Sequence, residues 1–82
     1  MEIIKSYTGV WYSPVFMEYK QEIKETISII LCDRLYIVMR ITETVDSYDG
    51  IPIETKYTKS YGEALNWYEE WNKHLMWNMT NT

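Results

Sequence analysis

With 82 residues the chain has room for one domain, spanning 1–82, around one hydrophobic core. Twelve acidic against eight basic side chains leave a formal net charge of −4. That balance disfavours a phosphate backbone as ligand, because duplex binding rests on Lys and Arg displacing counterions. The single cysteine, Cys32, excludes an intrachain disulfide. Its place in an apolar run points to a reduced, buried thiol and a cytoplasmic setting. No apolar run approaches the ~20 residues of a transmembrane helix, so no membrane partner is expected.

Residues 2–8 read as a short first strand, which Gly9 kinks or ends before Val10-Trp11-Tyr12. Ser13-Pro14 leaves two readings open. Proline at a first helical position would launch a helix through residues 15–25, with Phe16, Tyr19 and Ile23 on one face. The same residues also alternate, and the β-rich flanks favour extended structure. From Thr26 the pattern firms into two β-branched runs, 27–32 and 35–45, joined at Asp33-Arg34. The first run is apolar on both faces, so it reads as central, and its turn to the second admits a two- or a three-residue loop. In the second run Leu35, Ile37, Met39, Ile41 and Val45 are odd, while Arg40, Thr42 and Thr44 are even. Alternation therefore predicts odd residues inward. It leaves Tyr36, Arg40, Thr42 and, from the following strand, Lys56 on an open face.

Ile51, Ile53 and Tyr57 impose the same parity on a strand over 51–60. A three-residue loop at Tyr48-Asp49-Gly50 keeps apolar opposite apolar, pairing Val45 with Ile53, Glu43 with Thr55 and Ile41 with Tyr57. Gly50 would then take the left-handed position of a bulge, and Pro52 would sit at an edge or a gap in the ladder.

Residues 60–77 form the clearest amphipathic helix. Ser60 and Glu63 make a capping box at its start. Ala64, Trp67, Tyr68, Trp71 and Leu75 share a stripe, with His74 and Asn78 at its border. Asn66, Glu69, Glu70 and Lys73 lie opposite. Trp77 departs from the stripe and projects to the polar side, unless the helix frays and lets it fold onto a strand edge. The expected fold is α+β: an antiparallel sheet of four to five strands with this C-terminal helix packed on one face. Trp67, Trp71, Leu75, Ile37, Ile41 and Tyr57 are the expected core.

Chemistry-bearing constellations are missing from the pattern. A lone His74 and a lone Cys32 do not supply the three or four ligands of a zinc site. Three scattered glycines make no phosphate loop. The carboxylate pairs, Glu69-Glu70 and Asp46 with Asp49, read as solvated charges. No cofactor, no metal and no enzymatic activity is expected. The eight tyrosines and four tryptophans exceed what a small core requires, a compositional mark of interaction faces. The functional expectation is a small acidic interaction protein that binds and inhibits or modulates a protein partner with a basic surface. Inhibitors of a host nuclease or defence system, of the kind phages and mobile elements carry, suit such a chain. The expected binding residues are Asp46, Asp49, Glu63, Glu70 and Trp77. The alternatives are a self-assembling subunit, hence a homo-oligomer, or a ligand-binding module with an aromatic pocket between sheet and helix, lined by Trp67, Trp71 and Tyr57.

Overall fold

The structure, a computed structural model, describes residues 1–14, 20–44 and 51–81. Four strands, β1 (Glu2–Pro14), β2 (Lys20–Cys32), β3 (Leu35–Thr44) and β4 (Ile51–Thr58), precede one helix, α1 (Tyr61–Thr80). The strands form an antiparallel meander in the order β1-β2-β3-β4, and α1 packs against all four on one side. The α+β fold is thus the expected one. The helical alternative fails at both ends of the segment it would have occupied. Ser13 and Pro14 are extended, and so are residues 20–25, where β2 begins. Residues 15–19 lie outside the described residues.

Gly9 neither ends nor kinks β1. It lets the helix approach instead. A Cβ on Gly9 would stand 2.6 Å from Met79 Sδ and 3.3 Å from Leu75 Cδ2, so the C-terminal half of α1 rests almost directly on the strand backbone. The irregularity in β1 comes earlier, between Ile3 and Lys5, where the register with β2 shifts and Ile4 turns to the core.

The β2–β3 hairpin takes the two-residue turn. Cys32 faces Leu35, and Asp33 (φ 47°) and Arg34 (φ 67°) both lie in the left-handed region. Two consecutive left-handed residues make a type I′ turn, whose twist matches that of the flanking strands. Arginine is poorly suited to the second position, where glycine is preferred. Arg34→Gly is therefore expected to stabilise the fold by about 1 kcal/mol, read as a higher urea midpoint at unchanged slope. A lower midpoint would mean that the Arg34 side chain holds the turn by contacts of its own.

That turn determines which face is buried, and it overturns the predicted parity. Pairing Ile29 with Val38 and Ile27 with Arg40 sets odd residues of β2 beside even residues of β3. Ile27, Ile29, Val38, Ala64 and Leu75 are completely enclosed. Tyr36, Leu65, Trp67, Tyr68 and Trp71 pack around Ile29, Val38 and Ala64. Ile37, Ile41 and Tyr57, expected in this core, lie on the opposite face. Tyr36, Arg40, Thr42 and Lys56, expected on the open face, turn towards the helix instead. The β3–β4 register also slides by four residues. Tyr57 faces Ile37 and Thr55 faces Met39, with a further shift beside Ile41, which pairs with Pro52. Odd still faces odd over Ile37–Tyr57, so apolar opposes apolar as the pattern requires. The proposed Tyr48–Gly50 loop and its Val45 pairing lie outside the described residues.

Candidate protein-binding surface

Helix α1 begins where the sequence places it. Ser60 is extended (φ −100°, ψ 120°), and its Oγ accepts a hydrogen bond from the Glu63 N–H at 3.3 Å. The reciprocal half of the capping box does not form, because the Ser60 N–H donates to Thr58 Oγ1 at 3.0 Å. At the other end the helix runs on to Thr80, and Asn81 closes it by donating its backbone N–H and its Nδ2 to the Trp77 carbonyl. Trp77 therefore sits within regular helix rather than in a frayed end.

The inward side of the helix is committed to packing. Lys56 Nζ lies 5.1 Å from the Trp67 ring centroid and 5.9 Å from that of Trp71, bridging the two by cation–π contact. Tyr57, the neighbouring residue, points away through the other face. The three rings expected around a ligand pocket therefore share no cavity, and a lysine occupies the place above the two tryptophans.

Two charged residues on the inward face were not foreseen together. Glu25 is only 4% exposed, and Arg40 Nε lies 3.0 Å from its Oε1. Ile27 pairs with Arg40 and Glu25 with Thr42, so the two side chains meet diagonally across β2 and β3. The contact is ionic rather than a well-aligned hydrogen bond, since the Arg40 Nε–H is not directed at an acceptor. Burial pushes the Glu25 carboxyl above its ordinary value near 4.5, opposed by the charges of Arg40 and His74. The Trp11 indole N–H opposes it too, although its alignment falls short of a regular hydrogen bond. A cleft of about 340 Å³ opens beside this pair, under the last turns of the helix.

The outward side is different. Glu63, Glu70 and Trp77 are all exposed, Trp77 to 63%. Glu70 and Trp77 line one shallow groove with Lys73 and His74. Glu63, in the first turn, stands apart from that groove. On the other flank Tyr7, Tyr68, Asn72 and Met76 line a more apolar groove of about 350 Å³, bordered by Glu69 and Lys73. The structure thus sets Trp77 on the outward side with Glu70 two turns before it, and Met76 on the neighbouring flank. Asp46 and Asp49 lie outside the described residues. Met76 was missed because sequence reasoning gave no special weight to a methionine beside a tryptophan at a helix end, although adaptable thioethers recur on recognition surfaces.

Among the described residues no group of three His, Cys, Asp or Glu side chains is arranged to hold a metal ion. No helix there is long and apolar enough to cross a membrane. Comparison with protein-family models, with curated proteins and with solved structures finds no match to this chain.

Proposed function

We propose that this chain is a non-catalytic interaction protein of the cytoplasm that docks on a protein with a basic surface through the outward side of α1. Docking would block or modulate the partner's activity, as inhibitors of host nucleases or defence systems do. The observation that carries the reading is Trp77, a large aromatic held exposed on regular helix beside Glu70 and Met76. A tryptophan flanked by charge is the composition of a binding hot spot, with an anchor that is desolvated on contact and a rim that steers approach. Glu63 extends the acidic side towards the start of the helix.

The test compares three proteins as baits in a lysate of the native host: wild type, Trp77→Ala and the double variant Glu63→Lys/Glu70→Lys. A partner retained by the wild type should be lost from both variants. Rebinding of the purified partner should weaken as salt rises, because an acidic surface steering a basic one is screened. Melting temperatures should stay within a few degrees, since exposed charges contribute little to stability. A partner retained equally by all three proteins, with flat salt dependence, would remove this surface from consideration.

A further inference from the structure

The alternation in β3 marks one of its faces as apolar, and that is the face the helix leaves uncovered. The cross-strand pairings line up the row Ile3–Ile30–Ile37–Tyr57 across all four strands. Its two ends are open, Ile3 at 66% and Tyr57 at 61% exposure. The next row is Ser6–Ser28–Met39–Thr55, with Ser6 Oγ and Ser28 Oγ 3.0 Å apart. The row beyond begins Thr8–Thr26–Ile41, with the two threonine hydroxyls 2.9 Å apart. Cys32 and Leu35 close the other end of the patch. The hydroxyls of β1 and β2 pair across the strands, Ser6 with Ser28 and Thr8 with Thr26, so these four oppose desolvation less than lone hydroxyls would. None of the named residues is charged, in a chain where 24% of residues are. Charge returns one row further at one end, at Lys24 and Glu43, and at the other in the exposed Asp33-Arg34 turn beyond Cys32 and Leu35.

We infer that this face is covered by the same face of a second copy of the chain, giving a two-sheet sandwich with the helices outermost. Three properties select that occupant. An uncharged patch on a chain of net charge −4 can meet its own copy without setting like charges in contact, whereas it offers a basic partner nothing to pair with. Four strands about 4.8 Å apart, over four rows, give a face of roughly 500 Å² per copy. Two such faces approach the ~1,000 Å² of total buried surface that a specific interface needs. The molecule is a slab of 47 × 24 × 15 Å, a shape that brings the whole face into contact at once. Sheets stacked in this way lie ~10 Å apart with their side chains interleaved. The charge-free centre and polar margin match the anatomy of such interfaces. The outward helix surface stays free on both copies, so this assembly stands or falls independently of the heterologous docking proposed above.

Sedimentation equilibrium on the full chain tests it. The wild type should approach twice its 9.9 kDa mass across the micromolar range. Ile37→Lys should halve the mass while keeping the far-ultraviolet spectrum. Because Ile37 is partly enclosed, the pair Ile3→Glu/Tyr57→Glu is the second variant. Both positions are exposed in the single chain, and this variant should also be monomeric and folded. The Cys32 thiol should react more slowly with a disulfide reagent in the wild type than in either variant, and faster on dilution. Rising salt should leave the dimer intact or tighten it, the opposite of its effect on acidic docking. A wild type that stays at single mass throughout would overturn the inference. So would a dimer that survives Ile3→Glu/Tyr57→Glu, which would point to pairing through a strand edge.

Discussion

Val38→Asp is expected to leave the chain unfolded, while Ile37→Asp, one residue away, keeps it folded. Val38 is completely enclosed against Ile29 and Ala64 in the layer between sheet and helix. A carboxylate there loses its water, and its cross-strand neighbour Lys56, already drawn over Trp67 and Trp71, offsets only part of a penalty of several kcal/mol. A domain of this length has a total stability of roughly 4–12 kcal/mol, so one such penalty consumes much or all of it. Ile37 faces the uncovered side and is only partly enclosed, so a new carboxylate keeps most of its hydration in the single chain. Its effect should fall on self-association instead. Circular dichroism of the two variants at neutral pH decides the matter. If Ile37→Asp unfolds and Val38→Asp does not, the helix covers the other face of the sheet and the observed parity is wrong.

The contrast between these neighbours also shows what the sequence could and could not reveal. The helix was legible to its cap, because Ser60, Glu63 and a stripe repeating through Ala64, Trp67, Trp71 and Leu75 act locally. β3, β4 and the second half of β2 were legible from their apolar and β-branched runs, whereas residues 20–25 of β2 stayed open between helix and strand and β1 was expected to kink or end at Gly9. The buried face of β3 was not. Read alone, Leu35, Ile37, Met39 and Ile41 outrank Tyr36, Val38 and Arg40 as core, and alternation has no means of knowing that another layer can cover them. Two facts beyond the strand reversed the choice. The tight Asp33-Arg34 turn couples the parity of β3 to that of β2. The helix face also accepts Arg40 because Glu25 arrives beside it from the adjacent strand. A compensating pair of charges is a property of two strands in register, and no scan of either one shows it. The outward row on the helix was legible for the same local reason as the stripe. Its grooves were not, because they depend on where β1 runs beneath the last turns.

Arg40→Ala is expected to destabilise the fold by about 3–5 kcal/mol at neutral pH, because it leaves Glu25 buried and charged without its partner. The lower end of that range is the better expectation, since Arg40 itself keeps 21% of its side chain in contact with solvent. The pH dependence separates this cause from simple loss of packing. Burial already holds the folded-state pKa of Glu25 above the unfolded value near 4.5. Between those two values the folded chain binds more protons than the unfolded one, so stability falls as pH rises. The contribution is fully present below the unfolded pKa and gone above the folded one. Removing Arg40 takes away an attraction that favours the charged form, which raises the folded pKa further and widens the window. The variant should therefore recover towards wild-type stability as pH is lowered to the unfolded value, with the largest gap between the two proteins at neutral pH. The control is Glu25→Gln/Arg40→Met, which replaces the ion pair by neutral groups of similar size. It should lie within about 1 kcal/mol of wild type, since a buried pair often contributes little net stability even when breaking it is costly. Urea midpoints of the three proteins at neutral and mildly acidic pH supply the measurement. A gap between Arg40→Ala and wild type that stays constant with pH would assign the loss to packing of the arginine stem against Ile27 and the helix, not to the stranded carboxylate.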